Sequence, residues 1–498
     1  MGNISQQATK AFLFSIFGVF IGFLNTGIAF PLLFSKAEVG LMTLIVKIVT
    51  IASLLTTLGF YNVRFFPEFK DEKRGHNGYL TLGLIISMIG FLFFSVIYII
   101  ISPWWVSLNE DKTSLFSKWH WVVIPLTLLW TLFIQFDFYA RANRFSALGP
   151  TLKEFWQRVL IGGSILAFLL FNFSFDQFFI VYCLALALPT LFIGIAIYQK
   201  GYFFLEKVNL KVFNKETRSV FYKYSFFSLI SGIGAYLVIT VDAIMVNAYL
   251  GLEKTGIYAI ASFFSSFIVL GGRLLSGAAS PLISEAFKER NFSTLQSIYA
   301  KSCSKQYIIG LFFFTGIWLS RRFIEFYLPD YEGILPVLFW LCLGGLIEML
   351  TGLNTTLIAY SNHYQYNLYF VGILGVLVVI GNMVFIPLYG MVGSAFVSAF
   401  ALATVNLLRY IFLNRKYGFQ PFVLKDLLVP TVLAAPFLGA SYIFDHQLTT
   451  HPVLALVILG GAFSLVYVIG IYFSKISEEL NNFLTPLLPT QKQPKSHQ

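Results

Sequence analysis

Two cations stand in stretches otherwise fit for lipid: Lys47 in "TLIVKIVTI" and Arg273 in "IVLGGRLLSG". A charged side chain at the centre of a lipid-facing helix costs about 2.5–3.5 kcal/mol on an insertion scale, so each must face water, an anion or a counter-charge. Lys47 shares one helical face with Thr43, Thr50 and Thr57, at steps of 4, 3 and 7. Arg273 shares a face with Ser262, Ser266, Ser276 and Ser280. A third stripe carries Ser15, Gly18, Gly22 and Asn25, and a fourth Ser225, Ser228, Ser231 or Gly232, and Asp242. Cations among hydroxyls and amides in a hydrated passage suit an anion, held by charge-assisted hydrogen bonds. Lys47, Arg273, Asn25, Thr50 and Ser266 are therefore the candidate substrate-binding residues. Blander readings stay open beside this one. Small residues also let helices pack closely, as in Gly18-x-x-x-Gly22. Lys47 could snorkel or form a structural ion pair, although six residues from the outer end it has about 9 Å to reach.

Asp242, Glu348 and Asn382 form a second group, because intramembrane carboxylates are the usual stations for protons or sodium ions. Asp242 also reads as a hydrogen-bonded buried acid, and Glu348, beside Gly344, Gly345 and Thr351, as half of an interhelical pair. Cys183, Cys303 and Cys342 show no metal spacing, and the six histidines are scattered. Neither a glycine loop for nucleotides nor a nucleophile–base pairing occurs. The expectation is a protein without catalytic residues, metal or cofactor, not an enzyme, drawing on a Na⁺ or H⁺ gradient if it is energised at all.

The elements that must carry these residues are membrane helices. The chain has 498 residues, 57% hydrophobic and 11% charged, with a mean hydropathy of +0.76. Apolar runs lie near 11–34, 41–60, 79–101, 119–139, 157–171, 177–198, 221–249, 256–279, 306–320, 334–359, 366–388, 391–413, 426–444 and 452–473, which makes fourteen spans. The fifth is the weakest, since Lys153, Glu154 and Arg158 crowd its start. The first is too long for a signal h-region. Of the 34 Lys and Arg, 24 fall in the loops on the side of the termini, 6 in the others and 4 inside spans. That bias places both termini in the cytoplasm and explains the net charge of +11 without a nucleic-acid partner. No loop is large enough for a soluble catalytic domain.

The chain also repeats itself. "FSKAEVGLMTLIVKIVTIASLLTTLGFYNVRFFPEFKDEK" is echoed about 216 residues later by "LGLEKTGIYAIASFFSSFIVLGGRLLSGAASPLISEAFKER". Both copies enter from the outer side, so the repeats are parallel and related by an axis along the membrane normal. Transporters built that way bind substrate where the repeats meet.

These segments, with "IPLYGMVGSAFVSAFALATVNLLRY", resemble the polysaccharide-biosynthesis flippase family, in the superfamily that also holds lipid II flippases and MATE exporters. The resemblance spans essentially the whole chain. It implies an all-α polytopic membrane protein of about fourteen helices, in two six-helix lobes related as parallel repeats plus two C-terminal helices. The layout is 1–199 for the N-lobe, 200–219 for a basic cytoplasmic connector, 220–413 for the C-lobe, 414–474 for spans 13 and 14, and 475–498 for a cytoplasmic tail. It implies transfer of undecaprenyl-pyrophosphate-linked oligosaccharide to the outer leaflet of a bacterial cytoplasmic membrane, with membrane lipids and a polysaccharide polymerase as partners. In parts of the superfamily a cation binds between spans 7, 11 and 12, where Asp242 and Asn382 fall; the carboxylate expected one turn on is replaced by Ile386. A lipid II flippase would share the fold and the sign of the cavity charge. A MATE exporter of cations would need acidic residues where Asn25 and Lys47 stand.

Overall fold

The computed structural model describes residues 14, 17–60, 65–110, 114–209, 212, 221, 225, 229, 240–447 and 451–476. Ser15, Ser228, Ser231, Gly232, residues 210, 211 and 213–219 of the connector and nearly all of the tail lie outside the described residues. The described chain is helical and contains no strand. It divides into two units, residues 1–260 with 378–394, and residues 261–377 with 395–498.

The first unit begins with α1 (Phe17–Leu33) and α2 (Lys36–Thr56). Ser35 and Glu38 cap α2 reciprocally, side chain to backbone in both directions, which fixes where the helix starts. There follow α3 (Tyr79–Glu110), α4 (Val123–Ala142), α5 (Gln157–Phe171) and α6 (Phe175–Gln199). Then come α7 (Thr240–Leu250) and the first part of α8 (Leu252–Ser265). Small residues set the approach of these helices. A Cβ on Gly90 of α3 would fall on the Thr56 carbonyl at the end of α2, and one on Gly18 of α1 on the Glu154 carbonyl just before α5. An aromatic cluster including Phe66, Phe69, Tyr79, Phe133 and Tyr139 fills the end of the unit below α2.

The second unit holds α9 (Leu270–Lys288), α10 (Phe292–Leu319), α11 (Arg321–Tyr327), α12 (Ile334–Leu350) and α13 (Asn354–Tyr360). It also contains both ends of α14 (Tyr366–Tyr417), then α15 (Leu424–Gln447) and α16 (Pro452–Ser474). Gly310 of α10 lies against Met349 of α12, and the Tyr467 hydroxyl of α16 donates to the Ile308 carbonyl of α10 over 2.9 Å.

Among the described residues eight helices are long and apolar enough to cross a membrane, or ten when each of two bent pairs is one span. The sequence reads fourteen, and the physical reasons for the difference are local. The eighth run breaks at a turn over 266–269, just before the flexible pair Gly271–Gly272. Runs 11 and 12 are joined through α14 with a break at Gly390, whose φ of 62° suits only a residue without a Cβ. The first run appears as the shorter α1, and only the α7 end of the seventh is described as continuous helix. Run 10 bends by 49° between α12 and α13, at Gly352 with φ 61°.

Candidate functional site

In the first unit Asp242, the third residue of α7, is buried beside Asn382 of α14. The Asn382 amide donates to one Asp242 carboxylate oxygen over 2.8 Å, and the Tyr258 hydroxyl of α8 donates to the other over 3.0 Å. Three helices thus converge on one acid. The remaining amide oxygen of Asn382 is wholly buried with no hydrogen-bond partner. A buried acceptor left open beside a carboxylate suits a hard cation or a proton, which take oxygen ligands. Tyr258 escaped the sequence reading because it lies in an apolar run; its one signal was the distance of sixteen residues from Asp242 across the Gly251 break. Glu348 does not join this group, since it belongs to the second unit. There it is near enough to Arg409 of α14 to interact electrostatically, the interhelical pairing read as one option from sequence. Next to that pair Asn406 accepts from Thr351 over 3.1 Å and from Asn354 over 2.9 Å, bracing the bend between α12 and α13.

The stripe on α2 is half realised. Thr43, Lys47 and Thr50 are half-exposed, while Leu44, Ile45, Ile48 and Val49 between them are buried. Lys47 therefore lies on the less buried face of α2. Thr50 satisfies its hydroxyl on the Val46 carbonyl at 2.7 Å, which leaves its oxygen lone pairs for a further donor. Thr57 is wholly buried and contributes to packing.

Asn25 lies on the opposite kind of surface. It is buried in a π-helical turn spanning Phe23–Ala29, and its amide donates to the Arg158 carbonyl over 2.7 Å. With Gly18 and Gly22 it forms a seam against α5, so this stripe serves helix packing here. That seam brings in a cation: the Arg158 guanidinium rests against Gly22 and pairs with Glu154 at 3.0 Å. Nearby, the Lys153 ammonium stands 3.7 Å from the centre of the Trp130 ring. Arg141 pairs with Asp137 at 2.6 Å. Lys153, Glu154 and Arg158 crowd the start of the run that hydropathy ranked weakest, and their charge was the signal.

On the second unit Arg273 lies on α9, with its side chain outside the described residues. Ser266 is exposed in the turn before α9 and donates to the Phe263 carbonyl at 2.6 Å. Ser276 and Thr356 share a hydroxyl contact of 2.8 Å. No group of three or more His, Cys, Asp or Glu capable of holding a metal occurs among the described residues.

Residues 10–287 match the family model described as "Polysaccharide biosynthesis protein". No curated protein sequence matches the chain. Among solved structures, the lipid II flippase MurJ in an inward closed conformation superposes with a TM-score of 0.69 at 15% identity, covering 98% of this chain and 100% of that one. An inward-facing multidrug resistance MATE family transporter of the MOP superfamily gives 0.59 at 14% identity, over 81% and 94% of the two chains. A MOP superfamily transporter from Pyrococcus furiosus gives 0.54 at 14% identity, over 83% and 95%. At these identities the likeness shows a shared fold.

Proposed function

Because the chain belongs to the polysaccharide biosynthesis protein family, we propose that it is a flippase for lipid-linked oligosaccharide. In this reading undecaprenyl-pyrophosphate-linked repeat units of an O-antigen, capsule or exopolysaccharide pass from the cytoplasmic to the outer leaflet by alternating access. The observation that carries it is Lys47, a cation within an apolar helix, on its half-buried face with Thr43 and Thr50. A sugar pyrophosphate needs a wet, cationic passage, and its lipid tail can stay in the bilayer. Lys47 and Arg273 would meet the pyrophosphate at successive depths, with Thr50 and Ser266 offering hydrogen bonds along the way, whereas Asn25 is engaged in the seam against α5.

The two halves are read as parallel repeats, 1–199 and 220–413, joined by the basic 200–219 segment and followed by spans 13 and 14 and the 475–498 tail. The packing of Gly40 on the Leu252 carbonyl and of Gly256 on the Lys36 carbonyl supports this, since Gly40 and Gly256, like Lys36 and Leu252, are 216 positions apart. Both termini are placed in the cytoplasm by the loop charges, in a bacterial inner membrane where a polysaccharide polymerase would take the product. Asp242, Asn382 and Tyr258 would hold the Na⁺ or H⁺ that drives the cycle, the ion supplying the free energy of its gradient. A MATE-type exchange of cationic compounds is disfavoured by Lys47 and by the hydrogen bonds that already engage both Asp242 oxygens.

The test is lipid extraction from a strain lacking the protein. Accumulation of an undecaprenyl-pyrophosphate-linked oligosaccharide on the cytoplasmic face is the expected result. Accumulation of lipid II would transfer the assignment to peptidoglycan precursor, a reading that the fold shared with MurJ keeps in view.

A further inference from the structure

In the second unit a cavity of about 520 Å³ opens between α9 and α10, lined also by Leu353 at the bend after α12. Its two walls differ in chemistry. Leu275, Ala279, Leu282 and Ala286 line the α9 side at steps of 4, 3 and 4, one continuous apolar stripe. Thr294, Ser297, Lys301 and Lys305 line the α10 side at steps of 3, 4 and 4, a stripe of hydroxyls and cations. Lys305 directly precedes the apolar run that starts at 306, so both lysines stand at the level where hydrocarbon gives way to head groups. Glu285 and Glu289 line the same cavity nearer the turn that links the two helices, on the aqueous side. Neither glutamate forms an ion pair with Lys301 among the described residues.

We propose that this groove binds a zwitterionic phospholipid whose head group carries a phosphate and a primary ammonium, that is, a phosphoethanolamine lipid. The charges run in the order that such a head group requires. Its phosphate, attached to the glycerol, would meet Lys301 and Lys305 at the hydrocarbon boundary, and its ammonium, farther out, would meet Glu285 and Glu289. One acyl chain would enter hydrocarbon past Leu275, the end of the α9 stripe nearest Lys305. An anionic phosphatidylglycerol would satisfy the lysines and leave the carboxylates facing a like-charged ligand. A choline head group carries a cation without N–H donors, so it forms no hydrogen bond to them. The site requires neither the proposed substrate nor the proposed orientation of the chain.

The experiment is lipid exchange in nanodiscs of equal mixtures of phosphatidylethanolamine, phosphatidylglycerol and phosphatidylcholine, read as lipid retained by the intact protein in native mass spectrometry. Phosphatidylethanolamine should be retained over the other two about tenfold, the scale of one charge-assisted hydrogen bond. Lys301→Gln with Lys305→Gln should lower its retention about tenfold. Glu285→Gln with Glu289→Gln should keep a bound lipid but shift the preference to phosphatidylglycerol, a change that loss of folding cannot imitate. Ala279→Phe should displace the lipid by filling the apolar wall. Equal retention of all three lipids, or an unchanged preference in the glutamate variant, would overturn the proposal. So would displacement by soluble phosphoethanolamine at concentrations matching the lipid, because the chain would then contribute nothing.

Discussion

Gly40 of α2 and Gly256 of α8 stand 216 positions apart and pack on each other's backbones. A Cβ on Gly40 would fall on the Leu252 carbonyl, and one on Gly256 on the Lys36 carbonyl, itself 216 positions before Leu252. The contact is reciprocal, each glycine seated on the residue that matches its own neighbour. Backbone cannot yield as a side chain can, so both positions admit glycine alone. Gly40→Leu or Gly256→Leu should destabilise the protein by about 1–3 kcal/mol through overpacking. Gly163→Ala on α5, where a Cβ meets nothing within 4 Å, should instead raise stability by about 0.5–1 kcal/mol. Thermal unfolding in detergent of the three variants checks the contrast; equal midpoints would mean the α2–α8 approach is looser than described.

Lys47→Gln and Arg273→Gln remove the charge and keep a hydrogen-bonding amide on a shorter stem. Both should insert normally and flip poorly, with head-group binding weaker by about ten- to a hundredfold, as expected for one lost charge-assisted bond. Lys47→Arg should be tolerated better, since phosphate accepts either cation. Transport at the wild-type rate by Lys47→Leu would remove Lys47 from the passage and make it a snorkelling residue.

Asp242→Asn preserves the size of the buried group and its place between Asn382 and Tyr258. If the acid carries the coupling ion, the variant should insert while transport in proteoliposomes loses its dependence on a Na⁺ or H⁺ gradient. Unchanged gradient dependence at normal turnover would assign Asp242 to holding α7, α8 and α14 together.

Orientation is open to direct labelling. A cysteine at exposed Ser107 should react with an impermeant thiol reagent added to intact cells, and cysteines at Glu72 and Lys207 should resist it. The opposite pattern would invert the chain and with it the direction of transport.

Loss of Arg158 probes the seam between α1 and α5. Arg158→Ala removes the guanidinium seated on Gly22 and leaves Glu154 unpaired, while the Asn25 bond, made to the backbone carbonyl, is kept. A stability loss within about 1 kcal/mol is expected for a partly exposed pair. A transport defect with intact stability, measured on the same preparation, would instead give Arg158 a part in binding substrate.

Hydropathy, loop charge and internal similarity settled from sequence that this is an all-helical membrane protein, and they led to the family. Those signals are local, because an apolar run must satisfy its backbone within itself once it enters lipid. The stripes were legible for the same reason: helical periodicity alone puts Thr43, Lys47 and Thr50 on one face. Periodicity cannot say what that face meets. The Gly18, Gly22 and Asn25 stripe has the same spacing logic, yet the tertiary structure turns it against α5, and Arg158 enters with it. Only the fold brings Asp242, Tyr258 and Asn382 together from three helices, and only the fold assigns Glu348 to Arg409. The helix breaks at 266–269, Gly352 and Gly390 were equally hidden, since an apolar sequence stays apolar whether its helix is continuous or bent. Side-chain type and spacing fix which faces are polar; the partner of each face depends on contacts between residues far apart in the chain.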